Sequence, residues 1–282
     1  MKPFLKQFAM GGVLVFALIG FVFTAVFFAM QLGLLNVRGS IAERNAFFLG
    51  NATTTLPAEP CDDKRKSVCA WSETPEWDAV KGGLIKDAGV LGRVSAETGI
   101  PARMIAAVVV PEQMRFFTSN REVFKRYFEP LKILGSLSQF SLGVSGIKED
   151  TAKAIEAYAA DPSSAFYPGA GMSALIEYAP GADRDAELYN RLTDAKDHYY
   201  SLLYTALYIK EVEMQWARAG FDISDKPGTI ATLFNIGFAN SHPNAAPRTA
   251  GAGITAGGQT YAYGELGAEF YASNELSDVL PK

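Results

Sequence analysis

Met104-Ile105-Ala106-Ala107-Val108-Val109-Val110-Pro111-Glu112 is an apolar run that closes on a carboxylate. A helix that is apolar on every face belongs in a protein interior. Pro101 suits the first turn of such a helix, where its fixed φ is tolerated and its missing N–H is not needed. The pattern predicts a helix from there to about residue 117, with a kink at Pro111. Glu112 at the end of that helix is costly to charge. Desolvation disfavours the ionised form and pushes a glutamate above its free pKa of about 4.3. A carboxyl kept protonated near neutral pH is the usual general acid for cleaving a glycosidic bond. The plain alternative is a helix that ends in a solvated glutamate.

On either side the chain reads as helices joined by loops. Residues 80–98 form one helix, ended by Gly99. Ser119 caps a helix that begins near Asn120, with Glu122 three residues on as in a capping box, and Pro130 ends or kinks it. Residues 148–159 are amphipathic, with Ala152, Ile155 and Ala159 on one face. Residues 188–219 form the longest helical stretch, residues 227–238 a short apolar helix, and residues 266–280 the last one. β-branched alternation is sparse and no hairpin signal stands out, so the expected fold is mostly α. Residues 251–258, with Gly251, Gly253, Gly257 and Gly258, read as a loop. It is not a phosphate loop, because it lacks a preceding strand and a following Lys-Ser/Thr.

The N-terminal end differs in composition. No charged residue occurs from Gln7 through Val37, and the apolar core at residues 10–30 is long enough to cross a bilayer at about 1.5 Å per residue. A cleaved signal peptide is the alternative, but Phe27-Phe28-Ala29-Met30-Gln31 is a poor cleavage site, and an uncleaved anchor is favoured. Lys2 and Lys6 precede the span and favour an inside N-terminus, with the large C-terminal part extracytoplasmic, in the periplasm. The organisation expected is a cytoplasmic tip and transmembrane anchor at residues 1–36, a juxtamembrane linker at 37–75, and a helical domain at 76–282. Setting aside Lys2 and Lys6 leaves 24 basic residues of the 26 against 30 acidic ones, a net charge of −6. That disfavours nucleic acid as a partner, because phosphate binding needs a basic stripe. Cys61 and Cys69 enclose a short polar loop, and an oxidising compartment favours a disulfide between them over two free thiols. Two Cys and two His, with no ligand spacing, make a metal site unexpected.

Three segments follow one another in a suggestive order. The first is the helix that ends in Glu112. The second is Ser141-Leu142-Gly143-Val144-Ser145-Gly146-Ile147-Lys148-Glu149-Asp150-Thr151-Ala152. The third is Ala231-Thr232-Leu233-Phe234-Asn235-Ile236-Gly237, with Tyr261-Ala262-Tyr263-Gly264 after a Pro/Gly-rich loop. Over about residues 80–275 this order resembles the lytic transglycosylases and goose-type lysozymes of the lysozyme-like superfamily. In that family a helix delivers the catalytic Glu, a turn of the form Gly-x-x-Gln-Ile/Val-x-x-x-Thr-Ala follows, and Ala-x-Tyr-Asn-x-Gly comes later. The matching positions are Glu112, then Gly143, Ile147, Thr151 and Ala152, then Asn235 and Gly237. The glycines allow close approach of backbone to a sugar chain. Asn235 offers both a donor and acceptors for an acetamido group.

The resemblance implies a lysozyme-like helical domain with Glu112 as sole acid/base. Glu112 protonates the glycosidic oxygen between N-acetylmuramic acid and N-acetylglucosamine. Once ionised, it takes the proton from the muramoyl C6 hydroxyl as that oxygen attacks C1. Gly143, Ser145, Gly146, Phe234, Asn235 and Tyr263 are the residues expected to meet the glycan, with no cofactor and no metal. The chain departs from the pattern at Gln113 (Ser in the family), Gly146 (Gln), Thr232 (Ala) and Phe234 (Tyr). The last change removes a hydroxyl near the acid, for which Tyr199, Tyr200, Tyr204 or Tyr208 are the candidate replacements. Hydrolysis would instead want a second carboxylate. Glu149 and Asp150 are nearest by motif, but acids in a helix's first turn are favoured there by its dipole. Arg115, three residues after Glu112, would hold that carboxylate ionised if it points toward it. Trp71 and Trp77 read as packing anchors, and Phe116, Phe117, Tyr127 and Phe128 as core residues or a sugar-stacking wall. The reading is therefore a membrane-anchored peptidoglycan lytic transglycosylase. The second reading is a catalytically silent glycan-binding or scaffold subunit of a cell-envelope assembly.

Overall fold

The computed structural model describes Gly20, Phe21, Thr24 and residues 69–118 and 141–282. Most of the expected transmembrane span, Cys61, and the helix expected to start near Asn120 lie outside the described residues. Among those residues no helix is long and apolar enough to cross a membrane. Cys69 is disulfide-bonded, and the chain's other cysteine is Cys61.

The described chain is mostly α-helical. A 3-10 turn at Ala70–Glu73 leads into α1 (Pro75–Lys86), α2 (Ala88–Thr98) and α3 (Ala102–Thr118). A short hairpin follows, β1 (Ser141–Leu142) with β2 (Ile147–Lys148), then α4 (Glu149–Ala160), α5 (Arg184–Thr193), α6 (Tyr199–Arg218) and α7 (Pro227–Ile236). A second hairpin, β3 (Gly253–Ala256) with β4 (Gln259–Ala262), runs directly into α8 (Tyr263–Ala272).

The 3-10 turn at Ala70–Glu73, within the segment expected as a linker, packs onto the helices. Trp71 is fully buried, and its indole N–H donates to Glu269 Oε2 at 2.8 Å. Trp77 meets Trp71 edge to face, with ring centroids 4.8 Å apart. The two tryptophans pin the entry of the chain onto α8 through Glu269 and Phe270.

Two expected helices are split. The 80–98 helix breaks at Asp87, whose carboxylate is taken by His198 Nδ1 at 2.6 Å. The 188–219 stretch breaks between α5 and α6, where Asp194 Oδ1 accepts from the backbone N–H of Lys196 and of Asp197. An Asp that bonds its own backbone two residues on competes with the helix ladder. Strands also occur where a plain loop was expected. Gly257 and Gly258 both take positive φ, +57° and +77°, as a two-residue hairpin turn requires.

α3 is the central element. Every residue from Arg103 through Glu112 is buried. Pro111 lies inside it, so the carbonyl of Ala107 loses its usual i+4 donor. α8 packs antiparallel on this side. Gly267 lies so close that a Cβ there would sit 2.6 Å from that same carbonyl oxygen. Tyr263, at the start of α8, donates its hydroxyl to Val108 O at 2.9 Å. At the other end the buried Arg103 guanidinium donates to the carbonyls of Phe270, Tyr271, Ser273, Glu275 and Leu280. A cation among the last carbonyls of a helix meets the negative end of its dipole.

α6 carries a buried carboxyl with no such support. Glu211 is wholly buried, and among the described residues neither oxygen has a hydrogen-bond partner. Burial pushes its pKa from 4.5 up to about 10. Between those values the folded chain holds a proton that the unfolded chain has released. This contribution to stability is therefore complete below the unfolded value and falls as pH rises toward the folded one, at up to about 1.4 kcal/mol per pH unit. Glu211→Gln removes the titration. The melting temperature of the variant should exceed that of the native chain at pH 8 and fall less between pH 6 and pH 9. Parallel pH profiles for the two would contradict this placement of Glu211.

Candidate functional site

Glu112 sits at the C-terminal part of α3, 6% exposed. Its Oε2 accepts from Arg115 Nη2 at 2.5 Å, one helical turn on, and Arg115 is buried as well. The Arg115 side chain does point at the carboxylate. Burial alone would lower the Arg115 pKa, but the charge of Glu112, the nearby Tyr263 and the hydrogen bond to Glu112 outweigh it, and the net shift is upward. The expectation drawn from desolvation alone has to be revised here. A guanidinium in direct contact favours the ionised form of its partner. The Tyr263 ring lies 5.9 Å from the Arg115 guanidinium carbon.

The β1–β2 turn lies over the other side of Glu112. Gly143 and Gly146 have φ of +65° and +67°. A Cβ at Gly146 would sit 2.5 Å from Glu112 Oε1 and 2.7 Å from its Cδ. That contact accounts physically for glycine at this position, since a glutamine has no room while Glu112 holds this conformation. Gln113, the residue after the acid, ties the turn down by donating its amide to Val144 O. Gly143 is fixed from behind, where a Cβ would meet Leu192 O at 2.1 Å and Ser201 Oγ at 2.6 Å. Ser145 is fully buried, its hydroxyl bonded to Ser201 O at 3.1 Å and Ser201 Oγ at 2.9 Å. Ser145 thus anchors the turn to α6 and has no exposed surface with which to reach a ligand.

α7 supplies the third segment. Asn235 is 5% exposed, and its Oδ1 accepts from Ala252 N at 3.0 Å. That bond fixes the loop before β3. Gly251 packs between Asn235 and Tyr263, with a Cβ there falling 3.0 Å from Asn235 Oδ1 and 2.9 Å from the Tyr263 Cβ. Asn235 and Tyr263 are therefore one residue apart in space, and Tyr263 adjoins the Arg115–Glu112 pair. Phe234 is nearly buried and packs edge to face on Tyr208 at 5.1 Å. The structure thus joins Glu112, Gly146, Asn235 and Tyr263 through a continuous set of contacts, and gives Ser145 and Phe234 packing roles.

The tyrosines proposed to replace the missing hydroxyl are engaged elsewhere. Tyr199 donates to Glu97 Oε2 at 2.6 Å, Tyr204 to Glu156 Oε1 at 2.5 Å and Tyr208 to Leu233 O at 2.7 Å. Tyr200 lies under the Arg191 guanidinium. Glu149 pairs with Lys153 at 2.7 Å in the first turn of α4, and Asp150 is exposed, as helix-start acids are. A separate cavity of about 350 Å³ is lined by Glu156, Tyr178, Glu177 and Arg184 among others, and none of the predicted site residues reaches it. No metal-ligand cluster occurs among the described residues. Phe117, Tyr127 and Phe128 lie outside the residues whose side chains are described.

Sequence reasoning missed the roles of Gln113 and Gly267. Gln113 had a signal, as the one departure placed next to the acid. Gly267 had one only in retrospect, as a small residue opposite a proline-freed carbonyl. Comparison of the chain with protein-family models, with curated proteins and with solved structures finds no match.

Gly146→Ala tests the contact on which this site is built. A positive φ costs alanine about 1 kcal/mol. At Gly146 about 1–3 kcal/mol of overpacking adds to that, because the blocking carboxylate is held by Arg115. Gly181→Ala, at φ +80° with open space around it, pays only the backbone term. Chemical denaturation should therefore show a clearly larger loss for Gly146→Ala than for Gly181→Ala. Equal losses would mean that Gly146 does not lie on Glu112.

Proposed function

We propose that the chain is a lysozyme-like, glycan-cleaving enzyme of the lytic transglycosylase type, anchored in the cytoplasmic membrane by residues 10–30 and acting on peptidoglycan outside the cytoplasm. The observation that carries the reading is the buried Glu112 carboxyl at the end of an apolar helix, with the Gly143–Gly146 turn packed directly on it. A buried acid in such a place suits the intramolecular reaction. The C6 hydroxyl of the sugar is the nucleophile, so no second carboxylate is needed to hold water. Glu149 is paired with Lys153 in the first turn of α4, which also favours transglycosylation over hydrolysis.

A second reading has its own support. Arg115 keeps Glu112 paired, Asn235 spends its oxygen on Ala252, and Phe234 lacks a hydroxyl. These features suit a catalytically silent glycan-binding or scaffold subunit.

Glu112→Gln separates the two. The purified full chain, in detergent, should release 1,6-anhydromuropeptides from sacculi, and the variant should be slower by about 10²–10⁴-fold, the usual worth of general acid–base catalysis. It should still bind sacculi. Native protein that binds without forming product across pH 4–8 would favour the scaffold. Products with reducing muramic acid ends would show hydrolysis and contradict the single-acid mechanism.

A further inference from the structure

Away from Glu112, α4 and the segment that leads into α5 enclose the cavity of about 350 Å³. That volume is at the small end of ligand pockets. One of its carboxylates is held in place. Glu156 Oε1 accepts the hydroxyl protons of Tyr178 and of the fully buried Tyr204, the latter at 2.5 Å. Glu156 Oε2 accepts from Arg184 Nη2 at 3.0 Å. Burial pushes the pKa of both tyrosines up, that of Tyr178 to about 12, so both hydroxyls stay donors at neutral pH. The wall at residues 176–178 is fixed as well. The buried Arg191 donates to the carbonyls of Ile176 and Glu177 at 2.9 and 2.7 Å, and its guanidinium carbon lies 4.2 Å from the centre of the Tyr178 ring.

This framework presents both signs of charge to one small space. An ionised carboxylate offers about four lone pairs. Glu156 spends two on Oε1 and one on Oε2 among the described residues, which leaves one on Oε2. Glu177 lines the same cavity as a second, exposed carboxylate. Arg184 is the cation of the lining, 67% exposed at its side chain, and its fork of N–H groups exceeds what the bond to Glu156 uses. Lys153, one turn before Glu156 on α4, is taken by Glu149 and Asp185. An anion alone would meet two carboxylates here, and a cation alone would meet the guanidinium. A molecule that carries both charges side by side meets each with its opposite.

We propose that this cavity is a second binding site, separate from Glu112, for a free α-amino acid with an aliphatic side chain. Its ammonium sits between Glu177 and the remaining lone pair of Glu156 Oε2. Its carboxylate lies on the Arg184 guanidinium, whose planar fork suits it. Its side chain rests on Ala160, Ile176 and Ala182, the apolar part of the lining. The inference does not depend on the reading of Glu112 as an acid.

Titration calorimetry on the full chain in detergent at pH 7 tests it. The probes are leucine of either hand, 3-methylbutylamine, which keeps the ammonium alone, and 4-methylpentanoate, which keeps the carboxylate alone. One hand of leucine should give saturable heat, and each single-charge analogue should bind at least about tenfold more weakly. Glu177 and Arg184 are both exposed, so their variants leave the core intact. Glu177→Gln should weaken leucine about tenfold, and Arg184→Gln should reduce leucine to the level of the amine. No saturable heat from either hand of leucine would overturn the proposal. So would an amine or an acid that binds as tightly as leucine, or leucine binding undiminished in both variants.

Discussion

The packing of α8 along α3 is the constraint on which the rest of the molecule depends. Pro111 costs α3 one hydrogen bond and leaves the Ala107 carbonyl facing outward. Gly267 lets α8 come close enough to cover that carbonyl, and Tyr263 adds a hydroxyl to the next one at Val108. Arg103 gathers five carbonyls at the far end of α8. The same approach carries Tyr263 to Arg115, and through Gly251 it carries Asn235 to Tyr263. α7 follows, because Gly264 of α8 packs on Thr232 and on the Gly228 carbonyl. Fixing one helix on another thus also sets the geometry around Glu112.

Around Glu112 two electrostatic effects oppose each other. Removal from water favours the neutral acid, and a guanidinium at 2.5 Å favours the carboxylate. Glu211 shows burial acting without such a contact: among the described residues its oxygens have no hydrogen-bond partner, and burial raises its pKa to about 10.

Much of the helical layout was legible before the structure. The all-apolar run at 104–110 announced a central helix, and Gly99 ends α2 in the left-handed conformation expected of a C-terminal glycine. Ala152, Ile155 and Ala159 lie buried on one face of α4. The helix breaks at Asp87 and Asp194 were hidden, because each depends on a side chain that captures groups made available by tertiary or turn geometry. The Gly257-Gly258 turn carried a hairpin signal that the glycine-rich composition masked. Within the candidate site, Glu112, Gly146, Asn235 and Tyr263 were readable from motif order. The buried roles of Ser145 and Phe234 were not, since a motif says which residues recur and not which way each one faces. Arg115 shows the same limit: its spacing allowed contact with Glu112, and only the packing of Tyr263 and the turn determines that it occurs.

The central claim is that a glycan meets this chain where the Gly143–Gly146 turn lies on Glu112. A crystal structure of the chain with a chitooligosaccharide bound tests it most directly. The account predicts a sugar lying along that turn, with a glycosidic oxygen within hydrogen-bond distance of the Glu112 carboxyl. An oligosaccharide seated only in the cavity lined by Glu156 and Tyr178, or elsewhere away from Glu112, would contradict it.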